Sequence, residues 1–433
     1  MANLLIRGAT VLTMEDHDGI YPEGEIAVAG DTIVAVGERG CVPENFQADR
    51  VIDGSEMVAL PGFVNCHTHA AMTLLRGYAD DMPLMKWLTE KIWPLEEKLQ
   101  REDFYWGTSL CCLEMIKSGT TTFADMYFEM DQVALAVEQS GLRACLSRGM
   151  IGVAPGARKA VEESVSFVRE WNGRAGGRII TMFGPHAPYT CPPEYLEEII
   201  SLAGQYGAGL HIHVAETRDE IRQIKESYGT TPVRHLDKIG LFELPVLAAH
   251  CVHLDQEEIE ILAARKVGVA HCPESNMKLA SGIAPVTRML AAGVNVGLGT
   301  DGAASNNNLD MLEEMRSASL LQKVANEDPV VLPSFEALRM ATRAGAEVLG
   351  LPDVGLLKPG MKADLILVDF NRPHLCPRHD FFAHMVYAAH SADVDTVIIN
   401  GEVVMEGRRV LTMDEEEVMR KAQEKAFRLV GRI

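Results

Sequence analysis

Short apolar, β-branched runs recur through the middle of the chain, and between them apolar positions return every three or four residues. The runs are VALPGFV (58–64), TTTFADM (120–126), RACLSRG (143–149), RIITMFG (178–184), GLHIHVA (209–215), PVLAAHC (245–251), VGVAHC (267–272) and VNVGLG (294–299). The stretches between them include PEYLEEIISLAGQYG, DQEEIEILAARK and PVTRMLAAG. Strand-length runs alternating with amphipathic segments predict βαβ units. Eight such strands predict an α/β fold, a TIM-like (β/α)8 barrel. A doubly wound open sheet uses the same alternation, but no GxGxxG follows the first strand.

The two ends of the chain have another texture. LLIRGATVLTM, EIAVAGDTIVAVG and RVIDGSEMV are short strands with glycine-containing turns, and ADLILVDF and TVIINGEVVMEGRRVL repeat the pattern near the C-terminus. The expected organisation is a composite β-sandwich built from residues 1–60 and 355–433, flanking a catalytic barrel over residues 61–354. A polar helix, DEEEVMRKAQEKAFRLV, is assigned to the composite domain.

Composition narrows the functional classes. The balance over 433 residues, 47% apolar and 23% charged, is that of an ordinary globular protein. A formal net charge of −21 argues against nucleic acid, whose binders carry a basic patch. No apolar run is long enough to span a bilayer, so no membrane partner is expected. The N-terminus MANLLIRGATVLTMEDHDG lacks the layout of a secretory signal. Nine scattered cysteines without a CxxC pair fit reduced thiols and a cytoplasmic location better than a disulfide framework.

Candidate chemistry gathers at the ends of the predicted strands. FVNCHTHA places His67 and His69 two apart, and alternate residues of a strand share a face. Two imidazoles aimed at one point suit a metal ion; two solvated loop histidines are the plainer alternative. LHIHVAE supplies His211, His213 and, three residues on, Glu216; AAHCVH supplies His250; GLGTDGAAS supplies Asp301. Taken singly, Asp301 could be a turn aspartate, His250 a core histidine and Glu216 a helix cap. Taken together at successive strand ends, which converge at one mouth of a barrel, they define a shared metal site.

PGFVNCHTH, HVAE, AHCVH and GTDG resemble the motifs of the amidohydrolase superfamily across essentially the whole chain. The resemblance implies a metal-bearing barrel flanked by a small β-sandwich. Two-metal branches place a carboxylated lysine at the end of the fourth strand; here that end reads FGPHAPYT, without lysine, which favours the one-metal, deaminase-like branch. The implied ligands are His67, His69, His213 and Asp301, holding one divalent ion, zinc first, with Fe²⁺ or Mn²⁺ also suited. Such an ion lowers the pKa of bound water from about 16 to near 7. Asp301 and His250 would orient the attacking oxygen, and Glu216 would protonate the ring nitrogen and then the departing ammonia.

LMKWLTEKIWPLEEKL resembles most closely the deaminases of 5'-methylthioadenosine and S-adenosylhomocysteine. That resemblance implies a purine-nucleoside substrate, with Trp87 lining the pocket and Glu96 binding ribose hydroxyls. Arg148 and Arg158 would meet the sugar-side substituent, including an amino-acid carboxylate; His186 would contact the substrate and Ser305 the purine. It also implies a homo-oligomer, dimer or tetramer. Read from the residues alone, Trp87 could be core, Glu96 a solvated helix face and Arg158 a first-turn residue. A triazine, guanine or cytosine-type hydrolase is the enzymatic alternative, and a non-catalytic metal-binding scaffold the remote one.

Overall fold

The computed structural model describes residues 2–431. Eight parallel strands pair in sequence order: β1 (Phe63–Thr68), β2 (Thr120–Tyr127), β3 (Arg143–Met150), β4 (Ile179–Pro185), β5 (Gly209–Val214), β6 (Val246–His250), β7 (Gly268–His271) and β8 (Asn295–Leu298). The seam between the first and last strands is tied by side chain and main chain. Asn65 Nδ2 donates to Thr300 Oγ1 at 2.7 Å, and the Asp301 N–H donates to the His67 carbonyl at 2.9 Å. These strands are buried on both sides, as a barrel wall between a packed interior and a ring of helices requires.

A separate nine-stranded sheet joins the two ends of the chain. Met57–Pro61 runs antiparallel to Leu365–Asp369 and parallel to Leu4–Leu12, which also pairs with Ile20–Ala29 and Arg50–Asp53. Its core of Ile6, Val11, Ile26, Ile33, Leu365 and Ile398 is distinct from that of the barrel.

Two details differ from the sequence expectation. The run 58–64 is not one strand. It breaks at Pro61–Gly62: Met57–Pro61 belongs to the end sheet, and the barrel begins at Phe63. Gly62 sits at the crossing because a Cβ there would lie 2.1 Å from the Thr121 methyl group. The C-terminal helix, Glu415–Leu429, does not confine itself to the end sheet. It docks on the barrel helix Arg101–Ser118, where Arg428 donates to Asp103 at 2.6 Å and Lys117 pairs with Glu415 at 2.7 Å.

Candidate active site

The C-terminal ends of β1, β5, β6 and β8 bring the predicted residues together. Ligand atoms of His67, His69 and His213 lie within 4.8 Å of one another, as do those of His67, His250 and Asp301. Asp301 Oδ1 is 3.4 Å from His67 Nε2 and 3.3 Å from His69 Nε2. Backbone conformation aims several of these groups. Ala215, His250 and Asp301 have φ of 53°, 73° and 60°, the sparsely populated left-handed region, where functional sites commonly store strain. Asp301 is therefore the turn residue that its following glycine suggested, and a member of the cluster as well.

The hydrogen bonds around the imidazoles show what the cluster can hold. His69 Nδ1 faces the Met126 carbonyl at 2.7 Å and His213 Nδ1 faces the His186 carbonyl at 2.7 Å. A carbonyl only accepts, so both Nδ1 atoms carry a proton, and in the neutral rings that a metal requires both Nε2 atoms present lone pairs. Those two Nε2 atoms lie 3.4 Å apart beside the Asp301 carboxylate, and the buried His67 Nε2 has no hydrogen-bond partner. Acceptors turned toward acceptors in a buried cage fit a cation, and three imidazoles with one carboxylate suit zinc-like coordination. The other Asp301 oxygen accepts from Ser275 Oγ at 2.6 Å and Ser305 Oγ at 2.8 Å, which fixes the carboxylate. Ser305 thus holds the aspartate as well as lining the pocket.

Glu216 stands beside the cage outside both ligand groups, and burial raises its carboxyl above the ordinary range. Oε1 accepts from Ser281 Oγ at 3.3 Å. Its backbone is pinned by Glu220, whose buried carboxylate accepts the Ala215 and Glu216 N–H groups at 2.8 Å each. Burial pushes Glu220 itself up to about 8. His250 is oriented by Asn276, with Nδ1 and the amide oxygen 2.9 Å apart.

These groups form one end of a pocket whose other walls include Trp87, Trp93, Glu96, Tyr127, Phe128, His186 and Tyr189. Trp87 lines the pocket and donates its indole N–H to the Ala79 carbonyl at 2.9 Å, so it is both wall and anchor. Glu96 lines the pocket too, and Tyr127 Oη donates to its Oε1 at 2.6 Å. His186 Nδ1 lies 2.9 Å from Thr190 Oγ1, whose hydroxyl donates to the Ala187 carbonyl at 3.1 Å. That ring therefore donates from Nδ1 and offers Nε2 as an acceptor, and burial lowers it to about 4, neutral at pH 7.

The two arginines are not brought into this lining. Arg148, at the end of β3, spends Nε and Nη2 on Glu163 at 3.0 and 2.8 Å and Nη1 on the Gly149 carbonyl, with its guanidinium 5.2 Å from the centre of the Phe128 ring. Arg158 has a side chain 77% exposed and pairs with Glu162 at 3.2 Å and Glu198 at 3.4 Å. Sequence reasoning missed Tyr127, Tyr189, Ser275, Asn276 and Ser281. Tyr127 lies one residue beyond the predicted strand 120–126, and CPESN follows directly on the seventh strand, so position at the barrel mouth was the available signal.

Residues 58–404 match the model of the amidohydrolase family, and the chain belongs to that family. More particularly, the chain is similar over its full length to a 5-methylthioadenosine/S-adenosylhomocysteine deaminase of Pelotomaculum thermopropionicum, with 76% identity over 432 residues and 100% of each chain covered. Among solved structures it is similar to a zinc-bound adenosine deaminase from Xanthomonas campestris, with a TM-score of 0.95, 35% identity and 99% of each chain covered. A zinc complex of an atrazine chlorohydrolase from Arthrobacter aurescens gives a TM-score of 0.91 at 28% identity, covering 98% of this chain and 100% of that one.

Proposed function

We propose that this amidohydrolase removes the 6-amino group of 5'-methylthioadenosine and S-adenosylhomocysteine by hydrolysis, releasing ammonia and the inosine analogue. Adenosine itself is a further substrate of the same kind. The observation that carries the reading is a buried carboxylate, Glu216, standing free beside a three-histidine, one-aspartate cage, with a second carboxylate, Glu96, fixed in the wall of the same cavity. The 76% identity to a relative bearing that deaminase name supports the substrate class.

His67, His69, His213 and Asp301 would hold the ion, and zinc is the proposed metal. The bound cation would supply Lewis acidity and a water-derived nucleophile at neutral pH. The protein's own groups do the rest. Glu216, kept protonated more readily than an exposed carboxylate, donates to the ring nitrogen as the C6–O bond forms. It then delivers the water-derived proton to the amino nitrogen as the C6–N bond breaks. His250 and Asp301 orient the attacking oxygen, Asn276 and the two serines having fixed their directions. Glu96 accepts from ribose hydroxyls, and His186 Nε2 offers a further acceptor. Trp87 packs against the substrate, and Ser305 lies at the purine end. Arg148 and Arg158 stand outside the lining on glutamate partners, so they would meet the substituent beyond the sugar only by exchanging those pairs. Nine unpaired cysteines support a reducing, cytoplasmic setting.

The test is ammonia release by zinc-loaded protein presented with methylthioadenosine, adenosylhomocysteine, adenosine, adenine and an aminotriazine. The thioether nucleosides should turn over with the highest kcat/KM. Turnover of the triazine without the nucleosides would move the assignment to the chemistry named for the Arthrobacter enzyme.

A further inference from the structure

The three cage histidines are oriented by unlike partners. His69 and His213 each give their Nδ1 proton to a backbone carbonyl, which can only accept and so fixes the tautomer. His67 has no such carbonyl. Its Nδ1 meets the Nε2 of another histidine, His211, at 2.8 Å. A ring nitrogen can be donor or acceptor, so this contact alone leaves open which nitrogen of His67 holds the proton.

The rest of the chain of bonds settles it. His211 Nδ1 lies 3.2 Å from Ser147 Oγ, and Ser147 Oγ lies 2.9 Å from the Asp125 carbonyl oxygen. That carbonyl must accept, so the serine hydroxyl gives its proton there and its oxygen accepts from His211 Nδ1–H. His211 Nε2 is then a lone pair, His67 Nδ1 is the donor, and His67 Nε2 is free to face the cage. Reversing any link puts a proton on His67 Nε2, where it would block coordination. The four members come from β1, β5, β3 and β2 and are all fully buried, so the relay crosses the barrel interior away from water.

We infer that His211, with Ser147 behind it, is a positioning residue that selects the metal-binding tautomer and ring orientation of His67. His211 shares a strand face with His213 but sits one rung deeper, which is why it serves a ligand rather than the ion. Outer partners of metal ligands are worth about 10- to 100-fold in metal affinity. This inference needs only the cage and is independent of the substrate assignment.

The experiment compares His211→Gln with His211→Asn. The longer amide can bring its carbonyl oxygen close to where the imidazole Nε2 lies; the shorter cannot. Zinc affinity is measured by competition with a chromophoric chelator, and thermal midpoints are taken for the apo and zinc-loaded forms. His211→Asn should bind zinc about 10- to 100-fold more weakly and show a smaller zinc-induced rise in Tm. His211→Gln should stay within a few-fold of the parent, and Ser147→Ala should weaken zinc in the same direction by less than Asn. Equal zinc affinity in parent and Asn variants would overturn the inference. So would equal loss in Gln and Asn variants, or an apo Tm that falls while the zinc-induced rise is unchanged. Should the Asn variant not fold, Ser147→Ala decides, because unchanged zinc affinity there removes the relay.

Discussion

At the floor of the pocket, His67, His69, His213 and Asp301 come from the ends of three strands; backbone carbonyls direct His69 and His213, two serine hydroxyls hold Asp301, and His211 stands behind His67. Outside the lining, Arg148 and Arg158 come from a strand end and a helix, and glutamates already occupy them. The barrel backbone imposes the floor, since parallel strands in register leave little freedom in where their last side chains point. The two arginines depend on pairs between long, partly exposed side chains, which contribute little. Reaction chemistry should therefore be rigidly encoded in this chain, and substituent preference only softly.

The widest separation between the two regions should come from removing the metal. Stripping with a chelator, or His213→Ala, should abolish ammonia release and leave substoichiometric metal by elemental analysis. Zinc should restore the stripped parent but not the variant. A His213→Ala protein with full metal content would strike that residue from the cage.

Glu216→Gln comes next. The amide keeps the shape and the Ser281 contact but cannot shuttle a proton, so kcat should fall by at least about 10²-fold. Metal content should be unchanged, which separates this loss from that of His213→Ala. Turnover within a few-fold of the parent at full metal occupancy would mean that another group moves the proton.

Glu96 stands in the pocket wall. Glu96→Leu should lower kcat/KM for methylthioadenosine while leaving the poor substrate adenine almost unchanged. Hydrogen bonds to a charged acceptor contribute roughly 1.5–3 kcal/mol, so the expected loss is about ten- to a hundredfold. Tyr127→Phe should show a weaker form of the same bias, because the carboxylate would lose the hydroxyl that fixes it. Parallel losses for nucleoside and base would remove Glu96 from sugar recognition.

The same division marks what the chain's letters disclosed. The cluster was legible because strand period and barrel topology turn HxH, HVAE, AHCVH and TDG into neighbours without any long-range detail, while the choice of four ligands within it came from the family resemblance. His211 shows where that reasoning stops. The motif HIH puts two rings on one face, but nothing in it reveals that the deeper ring meets His67. The strand boundary at Pro61–Gly62 was hidden for a related reason: two buried strands of different sheets meet without a polar break between them. Most opaque were the pairings across sequence, Tyr127 with Glu96 and Arg148 with Glu163. A lone arginine or glutamate in a sequence does not reveal whether it arrives at the pocket free or already neutralised.

That last pairing yields the smallest and most diagnostic prediction. If the amino-acid carboxylate of adenosylhomocysteine reaches Arg148, it must exchange with Glu163, which Lys159 also holds at 3.1 Å. The gain is then a difference between two carboxylates, so Arg148→Ala should cost adenosylhomocysteine no more than about tenfold in kcat/KM relative to methylthioadenosine. Arg158→Ala, at an exposed pair worth about 0.2–1 kcal/mol, should cost no more than about fivefold, and added salt should erase it. Glu163→Gln decides between two roles. If Glu163 competes with the substrate, neutralising it should raise the preference for adenosylhomocysteine by about two- to fivefold. If instead it holds the guanidinium in place for the substrate, the preference should fall, as in Arg148→Ala. Should the ratio of the two substrates stay fixed in all three variants, the tail is recognised elsewhere, and the apolar wall of Trp93, Phe128 and Ile151 becomes the surface to alter next.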